Sequence, residues 1–266
     1  MLSLWLRQRV PGFTRATSNL GLANPRSDLH ALQYGFSERD PSAVTHPARR
    51  LLPFIVVSAV LAITGAMLDG DWLLLHQIAK PLTTILILLA AWQAAPALSP
   101  RYRLMVLIGL ALSLVGDVLL MPPWHLFVPG LVAFLVAHLF FISAFAPGAS
   151  NGSRIVALAI YSAIAAINLN FLLPKVPADL KLPVTAYVVV LVLMASLAGA
   201  RAWTRRHDPR LRDSARWAGI GGALFVVSDS LLAWNLFGGG LPMSSLLVLS
   251  SYFAAVWCIA RSVARG

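Results

Sequence analysis

Asp117 and Asp229 sit in hydrophobic stretches that read alike, GLALSLVGDVLL over 109–120 and GGALFVVSDSLL over 221–232. Seven of the twelve positions match, and the two aspartates fall on each other. A carboxylate at the centre of a membrane helix costs roughly 2.5–3.5 kcal/mol on insertion scales, and this chain accepts it twice in the same local context. Two carboxyls sharing one apolar cavity do not readily ionise together, so one can hold a proton while the other is charged. That division suits general acid–base work on a bond that breaks through an oxocarbenium-like state, by chemical analogy with glycoside hydrolysis. It suits equally a proton-coupled transporter of a lipid or small molecule, in which an aspartate is loaded and unloaded. The residues alone leave both readings open, beside that of a lipid-binding membrane protein without chemistry.

The elements that must carry these groups are membrane helices. Of the 266 residues 58% are hydrophobic and only 12% charged, and the mean hydropathy is +0.76. The apolar blocks are long enough to cross a bilayer, which takes about 20 residues per helix, and they lack the polar stripe of a soluble core helix. About eight spans are expected, at 51–68, 78–95, 103–121, 125–146, 154–173, 182–203, 216–237 and 244–263, giving an all-α polytopic membrane protein over 51–266. Lys80-Pro81 falls near the start of the second span, where proline costs little. Residues 1–50 are polar and rich in arginine, proline and serine, and are expected to form a disordered basic cytoplasmic tail.

The net charge of +11 comes mostly from arginines in short tails and loops, which speak for orientation and anionic headgroups rather than nucleic acid. With the N-terminus inside, 18 of the 21 Lys and Arg residues fall on the cytoplasmic side. The positive-inside rule then puts both termini in the cytoplasm, and a bacterial inner membrane is the expected setting. Asp117 lies in the third span and Asp229 in the seventh, so their helices run the same way. A parallel four-plus-four internal repeat about an axis along the membrane normal would produce this.

Depth brings further polar residues to the same level. At 1.5 Å per residue each aspartate lies about 20 Å up a roughly 30 Å core. Asn168, Tyr187, Tyr252 and Lys80 map to a similar height, with His138 somewhat deeper, so a polar pocket opening toward the outer face is expected. Each has a plainer role available. Asn168, Ser228 and Ser230 can bond neighbouring helices, Tyr187 and Tyr252 can anchor at an interface, and Lys80 can snorkel. Lys80 is also the one plausible cationic partner at that depth, and it cannot neutralise both aspartates. No GxSxG, HExxH, CxxC or phosphate-binding glycine loop is present.

Lys80-Pro81-Leu82, Gly116-Asp117, the series Phe127, Gly130, Phe134 and His138, and Ser228-Asp229 occur in an order that resembles the YhhN family of membrane proteins, which includes the lysoplasmalogenases. The resemblance covers about 51–263 and leaves out the basic tail. It implies hydrolysis of the vinyl-ether bond of lysoplasmalogens to a fatty aldehyde and a glycerophospho-alcohol, with a lysophospholipid and water as partners and membrane lipids around. Asp117 and Asp229 would be the catalytic pair, in unassigned order. Lys80 would meet the substrate phosphate, and His138, Asn168, Tyr187, Ser228 and Tyr252 would line the substrate site. That route requires neither metal nor organic cofactor.

Overall fold

The computed structural model describes residues 47–265, and the tail expected over 1–50 lies outside the described residues except for 47–50. Those four residues are helical, so the first helix begins before the expected boundary. The helices are α1 (Pro47–Leu68), α2 (Leu73–Trp92), α3 (Pro100–Leu120), α4 (Phe127–Phe145), α5 (Asn151–Leu172), α6 (Ala178–Thr204), α7 (Arg212–Phe237) and α8 (Ser244–Arg261). Short 3-10 turns at Gly70–Trp72 and Leu173–Lys175 lie between α1 and α2 and between α5 and α6. Among the described residues there is no strand, and all eight helices have the length and apolar composition to cross a membrane. The chain is therefore an integral membrane protein.

Seven of the expected spans fall within a few residues of the observed helices. The second does not: it starts at Leu73 rather than 78. The polar residues His76 and Gln77 hid its first turns, because both belong to the helix while interrupting the apolar run. Pro81 thus lies in the helix interior rather than in its first turn, where it frees the carbonyl one turn before it. Lys80 stands two turns inside the helix instead of at the membrane edge.

Packing follows chain order, with α1 on α2, α2 on α3 and α3 on α4, then α5 on α6, α6 on α7 and α7 on α8. Two further seams close the bundle, α4 against α6 and α8 against α1 and α2. Lipid tails are as apolar as leucine, so helices meet here through small residues and polar bonds rather than a hydrophobic drive. Gly109 lies against the Phe141 ring of α4, and Gly221 against the α8 backbone at Ala255 and Ile259. These are corresponding positions of the two similar stretches, and each lets the following helix approach closely. Large apolar side chains such as Phe54, Ile155 and Ile167 point outward. α5 is the least enclosed helix, buried along little of its length.

The end of the bundle that holds the C-terminus is tied by a buried arginine. Arg201, in the last turn of α6, is 4% exposed. It donates to the Tyr102 hydroxyl at 3.0 Å and to Ser214 Oγ at 3.4 Å, and its guanidinium lies over the Tyr102 ring. Tyr102 bonds Ser262 Oγ at 2.8 Å, and Ser214 donates to the Ser262 carbonyl at 2.6 Å. No carboxylate among the described residues pairs with Arg201. Its charge faces instead the C-terminal ends of α6 and α8, where helix dipoles favour a cation. Arg201→Met is expected to destabilise the fold by about 1.5–3 kcal/mol, the worth of bonds to a charged donor, read as a lower melting temperature in detergent. Arg201→Lys should recover only part of this, because one ammonium cannot match the planar fork. A wild-type melting temperature in the methionine variant would count against the clamp.

Candidate active site

Asp117 follows Pro100 by 17 residues, and Asp229 follows Arg212 by the same number. Helices α3 and α7 run in the same direction, so both carboxyls rise to similar height, about 26 Å from their helix starts at 1.5 Å per residue. The end they approach is the one away from the C-terminus.

Asp117 is 2% exposed and fully partnered. Lys80 Nζ, from α2, lies 3.4 Å from Oδ1. Thr84, one turn further along α2, donates to Oδ2 at 2.8 Å, and Tyr252 of α8 donates to the same oxygen at 2.7 Å. An ammonium and two hydroxyl donors are what a buried carboxylate needs in place of water.

Asp229 is met differently. Tyr187 of α6 donates a hydrogen bond to its Oδ2. Among the described residues no lysine or arginine lies within ion-pair distance of it, and its Oδ1 takes no bond from them. Behind Tyr187, His138 Nε2 of α4 is 3.3 Å from the phenol oxygen. The two clusters meet across an aromatic wall. Phe225 packs edge-on against both His138, at 4.7 Å, and Tyr252, at 5.7 Å, and Phe134 packs against Phe225 and Tyr252.

Both aspartates line one cavity of about 310 Å³. Lys80, His76, Asn168, Tyr187, Ser228 and Tyr252 also face it, and side chains such as Leu131, Ile164, Leu169, Val188 and Leu236 make the larger part of its wall apolar. The sequence-derived residues thus converge, with three refinements. His138 is enclosed behind Tyr187 and does not line the cavity, so it is not placed to touch a ligand there. Lys80 turns inward to Asp117 rather than snorkelling. Asn168 and Ser228 face the cavity but also bond neighbouring helices: Asn168 Oδ1 accepts from the Trp234 indole at 3.0 Å, and Ser228 donates to the Val248 carbonyl at 3.2 Å.

Two residues escaped the sequence reading. Thr84 bonds Asp117 directly, and His76 lines the cavity while its Nδ1 donates to the Ala62 carbonyl at 2.9 Å. His76, Lys80 and Thr84 recur at helical spacing on one face of α2, a stripe that is visible once the helix is known to start at Leu73. No group of three His, Cys, Asp or Glu side chains among the described residues is placed to hold a metal ion.

Fold and site together define a polytopic membrane protein whose helices enclose a polar, carboxylate-lined cavity beside an apolar wall. The chain belongs to the YhhN family, which matches residues 75–263. It is 31% identical over 236 residues to the mouse (Mus musculus) protein named lysoplasmalogenase TMEM86B, a match that covers 86% of this chain and 91% of that one. A protein of Mycobacterium bovis named lysoplasmalogenase is 31% identical over 211 residues, with 76% and 75% covered. Human TMEM86B, also named a lysoplasmalogenase, is 33% identical over 174 residues, with 65% and 69% covered. No solved structure matches.

Proposed function

We propose that this protein hydrolyses the vinyl-ether bond of a lysoplasmalogen-type lipid within the bilayer, releasing a fatty aldehyde and a glycerophospho-alcohol. The observation that carries the reading is the unequal pair of carboxyls on one cavity, Asp117 matched by a cation and Asp229 met by a single phenol. Membership in a family whose relatives are named lysoplasmalogenases supplies the substrate class.

The inequality divides the labour. Asp229, with one oxygen facing the cavity, is the proton donor. It protonates the vinyl carbon remote from the ether oxygen, and the adjacent carbon becomes an oxocarbenium ion. Asp117 has every oxygen engaged, so it acts as a fixed charge that stabilises this cation rather than as a base. Water then adds to the oxocarbenium carbon, and the Asp229 carboxylate takes the proton that water gives up. The product is a hemiacetal. Its carbon–oxygen bond to the glycerol breaks, the hydroxyl proton leaves, and the glycerol oxygen gains a proton, with aldehyde and alcohol as products. One water is consumed and Asp229 ends as it began.

The apolar wall suits the single acyl-like chain, and the loosely packed α5 lines it, which suits access from the surrounding lipid. Lys80 has three N–H bonds and can face a headgroup phosphate while keeping Asp117. The arginine-rich loop between α6 and α7 supports, by the positive-inside rule, an orientation with the C-terminal end of the bundle in the cytoplasm, in which the cavity would open toward the opposite leaflet. The test is aldehyde release from lysoplasmalogen by purified protein. Aldehyde at a rate proportional to enzyme is expected. Proton-linked uptake into vesicles with no aldehyde formed would favour a transporter and reject the hydrolase.

A further inference from the structure

From Asp229 on the cavity wall, a chain of groups on α7, α6 and α4 leads into the protein interior. Tyr187 has one hydroxyl proton and gives it to Asp229 Oδ2. Its oxygen can then only accept, and His138 Nε2 is the ring nitrogen that faces it, at 3.3 Å. The proton of a neutral His138 ring therefore sits on Nε2. The other nitrogen fits this assignment: Nδ1 is buried without a hydrogen-bond partner. An N–H left there without an acceptor would be costly, whereas a bare lone pair is tolerated more readily. Phe225, edge-on at 4.7 Å, and Phe141, at 6.2 Å, hold the ring in place.

We infer that His138, acting through Tyr187, is a positioning residue that locks Asp229 with Oδ2 held and Oδ1 presented to the substrate carbon. The inference rests on the reading of Asp229 as proton donor. His138 is the closed end of the chain and not a proton relay, because a proton passed to its ring meets no acceptor beyond Nδ1. His138 thus fixes geometry, and Tyr187 transmits it. A proton donor displaced by about 1 Å can lose about 10²-fold in rate.

Three variants of the full chain and one spectroscopic measurement test this. His138→Leu removes the donor, His138→Gln keeps an amide N–H near the Nε2 position, and Tyr187→Phe breaks the link to Asp229. In the leucine and phenylalanine variants kcat for aldehyde release is expected to fall by about 10²-fold, the size of a misplacement effect, while KM stays close to wild type. His138→Gln is expected to recover most of that loss, which a proton relay would not allow. Independently, nitrogen-15 NMR of histidine-labelled protein, with the His138 signal assigned by its loss in His138→Gln, is expected to show the Nε2-protonated tautomer. An Nδ1-protonated ring overturns the chain. So does a raised KM with unchanged kcat, which would mean direct substrate contact, or a glutamine variant as impaired as the leucine one. Should the wild type release no aldehyde, the hydrolase reading fails while the tautomer still decides the hydrogen-bond chain.

Discussion

Asp229→Asn is expected to lower kcat for aldehyde release by about 10²–10⁴-fold, the usual worth of a general acid–base group, with KM little changed. The amide is nearly isosteric, and its oxygen can still accept from Tyr187 as Asp229 Oδ2 does. Since no described cation pairs with Asp229, the neutral amide strands no lysine or arginine. The variant should therefore fold and bind lipid normally while lacking a group that can carry a proton to carbon. Initial rates of aldehyde formation, with a melting curve alongside, make the test. Wild-type turnover in a well-folded Asp229→Asn would remove Asp229 from the chemistry and with it the division of roles between the two carboxyls.

The pair itself was legible in the sequence because a charge in a long apolar run is expensive and therefore conspicuous. Span count followed for the same reason, since length and hydropathy alone decide what can cross a bilayer. Depth was legible too: rise per residue places Asp117, Asp229, Tyr187 and Tyr252 at one level. What depth leaves out is direction around each helix and which helices are neighbours. Depth set His138 below the aspartates, and only the family resemblance put it among the ligand-facing residues, whereas the seam of α4 against α6 buries it behind Tyr187. Tyr187 could be read equally as an interfacial anchor until the seam of α6 against α7 showed it bonded to Asp229. Thr84 was lost by a different route. A threonine in an apolar helix commonly bonds its own backbone, and with α2 started five residues late its spacing from His76 and Lys80 carried no pattern.

Lys80 and Asp117 supply the second large effect, and it falls first on stability. Asp117 is buried at 2% exposure and Lys80 is largely enclosed at 11%, with 3.4 Å between Nζ and Oδ1. Such a pair adds little over an apolar replacement of both partners, but removal of one partner leaves a bare charge in a low-dielectric site. Lys80→Met is thus expected to destabilise the protein by about 3–5 kcal/mol, seen as a sharp drop in melting temperature in detergent. Asp117→Asn should destabilise less, because the asparagine oxygen still accepts from Thr84 and Tyr252 and the flexible Lys80 stem can turn toward the cavity it already lines. The double variant Lys80→Met/Asp117→Asn removes both charges and should regain most of the stability lost in Lys80→Met. It should not regain turnover, since the proposed mechanism requires a fixed negative charge at Asp117 to meet the oxocarbenium ion. Stability and activity must therefore separate in the double variant. If activity returns with the fold, the Asp117 charge is structural only; if Lys80→Met melts like the wild type, the pair is not the enclosed charge pair that this geometry describes.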